Sequence, residues 1–217
     1  MIEFDDVSFS YRDEVILQRV NFRLEDGEYA GIIGLNGTGK TTLLKLILGL
    51  ARPTEGKLRR DLGTVSYVSQ TTSLSDASFP CSVFEAVALG LVGAKPALFG
   101  LRKRKEKTLA ALKEANLYDL RNRLVSELSG GQLQKVKIAK ALIGEPATLV
   151  LDEPDAGMDE ASHERLIETI ADLHEKRHIS IVFVSHHYED LKDADSIYEV
   201  KDRGLIRLAK GGKRVRL

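Results

Sequence analysis

Gly34-Leu35-Asn36-Gly37-Thr38-Gly39-Lys40-Thr41 reads G-x-x-x-x-G-K-T. The residues before it, Tyr29 to Ile33, are a compact apolar run of strand length. The residues after it, Lys40 to about Leu50, place Leu43, Leu44, Ile47, Leu48 and Leu50 at helical spacing, and Pro53 and Gly56 follow as a stop signal. The stretch therefore predicts strand, glycine-rich turn, helix. In that context consecutive backbone N–H groups point into one concavity, and the helix N-terminus adds partial positive charge. Glycines let the main chain approach a phosphate without Cβ clashes. Lys40 is then expected to reach β- and γ-phosphates, and Thr41 to offer a hydroxyl to Mg²⁺. The competing reading is an ordinary glycine-rich turn.

Upstream, Ile2, Phe4, Val7, Phe9, Val15, Leu17, Val20, Phe22 and Leu24 recur with a period near two. That predicts short antiparallel strands, with Asp26-Gly27 as a hairpin turn. Downstream, Thr64 to Ser69 reads as a strand. From Thr71 to Glu127 the character changes to helix and loop, including a capping box at Ser82-Val83-Phe84-Glu85 and an amphipathic helix over Lys103 to Asn116. Ser129 to Ile143 predicts a helix and Thr148 to Leu151 a buried strand. Asp159 caps a helix to about Lys176, and Ile179 to Val184 is the next apolar strand. Short strand signals and glycine turns fill Ser196 to Leu217. Buried strands alternating with helices predict an α/β fold with a mostly parallel sheet. The first strands make it a mixed sheet.

Two further motifs carry chemistry. Thr148-Leu149-Val150-Leu151 ends in Asp152-Glu153, at the end of a strand where open α/β sheets bind ligands. Asp152 suits Mg²⁺, usually through water, and Glu153 could orient an attacking water. Two acids merely ending a strand are the bland alternative. Leu128-Ser129-Gly130-Gly131-Gln132 opens a helix, with Ser129 as N-cap and two glycines leaving N–H groups free. It offers a second phosphate-binding surface in the same chain.

This last motif resembles the signature of the ATP-binding cassette (ABC) ATPases, and the resemblance covers nearly the whole chain. It implies a P-loop NTPase mixed sheet with an antiparallel β subdomain and a helical subdomain. The chain is then one ABC ATPase domain, 1–217, with the helical subdomain at about 71–145. The implied ligands are ATP and Mg²⁺. The implied nucleotide-binding residues are Tyr11, which matches the aromatic that stacks on adenine, with Gly34, Asn36, Gly37, Thr38, Gly39, Lys40, Thr41 and Thr42, and with Ser129, Gly130, Gly131 and Gln132. Gln70 matches the glutamine that contacts Mg²⁺ and the water and senses the membrane partner, and joins Thr41 and Asp152 as a metal contact. Glu153, His186, Gln70 and Lys40 form the implied catalytic set, with His186 as the switch histidine. Simple packing remains the alternative for Tyr11, and a solvated strand end for Gln70. Asp155-Ala156-Gly157-Met158-Asp159 matches the loop that crosses to the opposite subunit, with Asp159 as its acid. Asp155 departs from the usual Thr or Ser there, and His187 from the Asp that usually follows the histidine.

In this family two subunits pair head to tail, each signature covering the other's ATP. The implied partners are a second copy, integral membrane permease subunits and, as an optional further partner, an extracytoplasmic substrate-binding protein. The implied location is the cytoplasmic face of the membrane. Phe79-Pro80-Cys81-Ser82-Val83, Ala88-Leu89-Gly90-Leu91 and the Gly93 to Gly100 loop resemble zinc/manganese importer ATPases. Other importers, exporters and non-transport ABC ATPases of DNA repair or translation are the alternatives.

Composition narrows these. The 217 residues carry 32 Lys+Arg against 32 Asp+Glu, so no global field for nucleic acid exists and no nucleic-acid partner is expected. Cys81 is the only cysteine, which excludes an internal disulfide or a cysteine zinc cluster. No apolar run approaches the roughly 18 residues of a membrane span, and the N-terminus lacks a signal-peptide pattern. Arg102-Lys103-Arg104-Lys105-Glu106-Lys107 is basic, as is the tail Lys210 to Arg216. The first is read as a solvated helix start, with anionic headgroups as the alternative contact.

Overall fold

A computed structural model of the chain describes residues 1–69, 80–92, 100–155 and 158–208. Gln70, Phe79, residues 93–99 of the Gly93 loop, Ala156, Gly157 and the basic tail lie outside the described residues. The chain divides into two compact units. The first comprises Met1–Val65, Ala147–Glu153 and Ile167–Leu217, the second Ser66–Pro146 and Pro154–Leu166.

In the first unit, β1 (Ile2–Tyr11) and β2 (Glu14–Leu24) form an antiparallel hairpin, and β4 (Glu55–Arg60) pairs with the other edge of β1. The hairpin turns at Arg12-Asp13, between the paired residues Tyr11 and Glu14. Asp26-Gly27 is not a hairpin turn. It carries the chain from β2 to β3 (Tyr29–Ile33), which lies in a different sheet, and the Gly27 N–H donates to Ser180 Oγ at 2.8 Å. That second sheet contains the run β6 (Thr148–Asp152), β7 (Ser180–Val184), β3, β8 (Ser196–Lys201) and β9 (Gly204–Leu208), in that order. The pairs β6/β7, β7/β3 and β3/β8 are parallel, and β8/β9 is antiparallel. β6 and β7 are buried at every residue, as strands covered on both faces must be.

Helix α1 (Lys40–Leu48) buries Leu43, Leu44, Leu46 and Ile47 in the core shared by both sheets, with Phe4, Val7 and Leu17 from the hairpin and Val150, Val182 and Val184 from the parallel strands. The helix ends earlier than its sequence suggests. Gly49 takes a left-handed φ of 75° and donates its N–H to Leu46 and Lys45, so Pro53 and Gly56 come after the stop. Gly56 belongs to β4 instead.

The second unit holds α2 (Val83–Ala88), α3 (Leu101–Glu114), α4 (Gly130–Leu142) and the start of α5 (Glu160–Arg177). The short β5 (Val65–Val68) stands at the division between the units. A separate apolar core gathers Val83, Val87, Leu112, Leu117, Val136 and Ile143. Cys81 is buried there, and burial followed by the Glu85 carboxylate pushes its thiol pKa up. Ser82 caps α2 with the expected box: its Oγ accepts from Glu85 N–H, and Glu85 accepts from the Ser82 N–H at 2.8 Å.

Candidate nucleotide site

Strand register assembles the site in the first unit. Ile32 pairs with Val184, and Val184 pairs with Asp152. The ends of β3, β7 and β6 therefore stand in one row. Each delivers the next residues to the same edge: the Gly34 loop, Ser185-His186 and Glu153. Gly34 lies against β8, where a Cβ would stand 2.7 Å from the Val200 carbonyl oxygen. Within the loop, the Thr38 hydroxyl donates to the Leu35 carbonyl at 2.9 Å. Asn36 and Gly37 are exposed, Gly39 is half-buried, and Leu43 N–H donates to the Gly39 carbonyl at 2.8 Å as α1 begins.

Lys40 is buried. Its ammonium donates to the Gly34 carbonyl at 2.8 Å and the Leu35 carbonyl at 3.1 Å, and lies 3.3 Å from Glu153 Oε1. His186 Nε2 lies 2.7 Å from Glu153 Oε2. Glu153 thus joins two groups, one through each carboxylate oxygen. Its backbone takes a left-handed φ of 45°, and its N–H donates to the Val184 carbonyl at 3.0 Å. Glu153 is buried, whereas His186 is 36% exposed, so the imidazole forms the open side of the cluster.

Thr41 is exposed in the first turn of α1, Thr42 is buried beside it, and Asp152 is buried at the end of β6. A hydroxyl and a carboxylate are hard oxygen donors, and an exposed hydroxyl beside a phosphate loop leaves room for ligands from a nucleotide. This donor set fits Mg²⁺. Tyr11 is half-exposed at the end of β1. Its ring packs edge-on to Phe9 with centroids 4.8 Å apart, and Lys45 Nζ donates to its hydroxyl at 3.2 Å.

The second unit presents the other motif. Ser129 is exposed as the N-cap of α4, and its Oγ accepts from Gln132 N–H at 3.4 Å. Gln132 Oε1 accepts in turn from Ser129 N–H at 3.1 Å, completing a capping box. The Gln132 side chain is thus occupied with the cap. The Ser129 hydroxyl, an acceptor inside the cap, keeps its proton for an outside acceptor. Asp159 caps α5: its two carboxylate oxygens accept from the Ser162 N–H at 2.9 Å and the Ser162 hydroxyl at 3.1 Å. Those bonds hold its pKa below the usual carboxylate range. Asp155 lies 3.6 Å from His163 Nδ1, so its extra charge meets a titratable partner inside this unit. Nothing in the sequence pattern announces that pair, because the eight-residue spacing spans a turn and a helix start.

Comparison with known proteins fixes the family. Residues 17–156 match the family model described as ABC transporter. The chain belongs to the ABC transporter family. The cassette is 36% identical over 196 residues to the zinc uptake system ATP-binding protein ZurA of Listeria innocua, covering 86% of this chain and 76% of that one. It is 33% identical over 221 residues to the high-affinity zinc uptake system ATP-binding protein ZnuC of Bacillus subtilis, covering 98% and 93%. It is 36% identical over 210 residues to the manganese transport system ATP-binding protein MntB of the same organism, covering 91% and 80%. Among solved structures, the cassette MJ0796 in a dimeric post-hydrolysis state with ADP and Pi superposes with a TM-score of 0.82 at 27% identity, covering 94% of this chain and 96% of that one. The α/β architecture, a mixed sheet with an antiparallel subdomain plus helices, is that of an ABC ATPase. The cassette is an ATP-hydrolysing subunit of a transporter. No described helix is long and apolar enough to cross a membrane.

Proposed function

We propose that this ATPase powers import of a divalent metal ion of the zinc or manganese type, with hydrolysis centred on Lys40, Glu153 and His186. The observation that carries the site is the pair of contacts on Glu153, 3.3 Å to Lys40 and 2.7 Å to His186. The names of the relatives support the cargo class.

The loop Gly34 to Thr42 holds the triphosphate through backbone N–H groups, and Tyr11 receives the adenine. The Lys40 ammonium stabilises negative charge on the β- and γ-phosphates. A triphosphate competes for that ammonium with the Gly34 and Leu35 carbonyls and with Glu153. Thr41, Asp152 and Gln70 would hold Mg²⁺, which would supply positive charge to offset the charge developing on the phosphates. Glu153 orients the attacking water and accepts its proton while the water oxygen bonds to the γ-phosphorus and the bond to the β-phosphate oxygen breaks. His186, hydrogen-bonded to Glu153, fixes the carboxylate and reaches the γ-phosphate from the exposed side.

Ser129, Gly130 and Gly131 of a second copy, squared by the Gln132 cap, cover the open face of the γ-phosphate. The whole chain acts as one ABC ATPase domain, with the helical subdomain at about 71–145 facing the membrane. Permease subunits dock on that subdomain, which holds the chain at the cytoplasmic face. A groove of about 320 Å³ there is lined by Pro80, Cys81, Phe84, Glu85, Ala88, Leu89 and Arg104. The nearby Leu101 and Val92 are strongly exposed. An extracytoplasmic binding protein would deliver the ion.

The experiment is reconstitution with the co-purifying membrane subunit. Zn²⁺ or Mn²⁺, supplied with the binding protein, should raise the ATPase rate of the complex, and Glu153→Gln should abolish the rise. Stimulation by an apolar compound in place of the metals would redirect the assignment to an exporter.

A further inference from the structure

Ser185 to Leu191 follows β7 and contains His186, yet most of its fixed contacts come from residues the site does not use. Ser185 is fully buried. Its N–H donates to the Ile32 carbonyl at 3.1 Å, which ties it to the strand feeding the phosphate loop. Its hydroxyl donates to the Asp190 carboxylate, and its Oγ accepts from the His187 N–H at 3.0 Å. Asp190 is 6% exposed. Leu191, also fully buried, closes the segment against β3: a Cβ on Gly31 would stand 2.8 Å from Leu191 Cδ1. The residues on both sides of His186 are therefore pinned. Ser185 is held by Ile32 and Asp190, and the His187 backbone is held by Ser185.

We propose that Ser185 and Asp190 are positioning residues for hydrolysis, forming a buried clasp that fixes the His186 imidazole against Glu153. The proposal rests on Glu153 and His186 being the water-orienting pair. A hydroxyl-to-carboxylate bond is charge-assisted, and burial strengthens it. One hydroxyl meets both demands, since its proton goes to Asp190 and its lone pair to His187. Removing it frees the His187 N–H and leaves the Asp190 carboxylate without this donor, so the turn carrying an exposed imidazole loosens. The 2.7 Å contact to Glu153 is the geometry at stake. Misplacement near a reacting group by about 1 Å costs on the order of 100-fold in rate.

The test is steady-state ATPase of the full chain with Mg-ATP. Ser185→Ala should lower kcat by roughly 10- to 100-fold. KM for ATP should stay within about twofold, because nucleotide binding is not what the clasp supports. Ser185→Thr, which keeps the hydroxyl, should recover most of kcat even if Ser185→Ala folds poorly. Asp190→Asn should fall between. The decisive measurement is a double-mutant cycle: on a His186→Ala background, Ser185→Ala should cost nothing more, since the clasp acts only through the imidazole. Multiplying losses would assign Ser185 a merely structural role and overturn the clasp. Loss of turnover in His186→Ala with full turnover in Ser185→Ala overturns the clasp alone. Full turnover in His186→Ala overturns the catalytic reading and the clasp with it.

Discussion

Glu153 combines three conditions that seldom meet in one side chain. It is buried, it is ionisable, and its backbone sits at φ 45°. For a residue with a Cβ the left-handed region costs roughly 1–2 kcal/mol. The sheet enforces it: the Glu153 N–H must reach the Val184 carbonyl while the carboxylate reaches Lys40 and His186. Comparing two truncated variants isolates the strain. Glu153→Ala and Glu153→Gly both lose the carboxylate, but only glycine relaxes at this φ. Urea unfolding should find the glycine variant more stable than the alanine variant by about 1 kcal/mol. Equal midpoints would mean the turn is not strained. At this scale the sequence was informative about identity and silent about partnership. Lys40 and Glu153 stand out in their motifs. That they touch, and that Ser185 props His186, depends on which strands neighbour each other, and spacing along the chain does not encode that.

Elements with strong periodicity were legible, and those without it were not. The Tyr29 to Ile33 strand, α1, α4 and the buried β6 and β7 follow from apolar runs and caps within a residue or two. β4 was invisible: in Glu-Gly-Lys-Leu-Arg-Arg only Leu58 escapes exposure, so no apolar face marks it as a strand. It forms because the free edge of β1 offers a ladder, with Phe4 opposite Leu58. The hairpin turn was misplaced for a related reason. Arg12-Asp13 lacks a glycine, and Asp26-Gly27 has the better turn chemistry but joins two sheets. Caps were more dependable, and α2 yields a pH prediction. The Ser82 N–H and hydroxyl hold the Glu85 carboxyl below its ordinary value. Its folded pKa is lower than its unfolded one, so the box contributes stability in full above the unfolded value near 4.5. The contribution fades as pH falls through the lowered folded value. Glu85→Gln should therefore flatten the acid limb of the melting temperature against pH: the parent is the more stable near pH 7, and the two converge as pH falls below the ordinary value of 4.5. An unchanged acid limb would show that the box does not bear on folding.

At the scale of the molecule, two units with separate apolar cores carry the two phosphate-facing motifs of the proposed mechanism. The first holds Lys40, Asp152, Glu153 and His186, the second the Ser129 cap. In the proposed mechanism, head-to-tail pairing of two copies would let each half serve the other's nucleotide, with two sites closing together under one two-fold axis. Glu153→Gln should bind Mg-ATP, fail to hydrolyse it and sediment as a dimer. Added ADP in place of ATP should return it to monomer. A variant that stays monomeric at saturating Mg-ATP would contradict the shared-site mechanism.

The lone cysteine offers a way to watch one of those units by itself. Cys81 is 5% exposed in the second unit's apolar core, and burial, then the Glu85 carboxylate, raises its thiol pKa. A sulfhydryl reagent meets little of it from the groove it helps to line, so its alkylation rate reports on local opening of that groove and core. A fluorophore aimed at an engineered surface cysteine would attach far faster than this slow buried thiol, so the two sites can be told apart by rate.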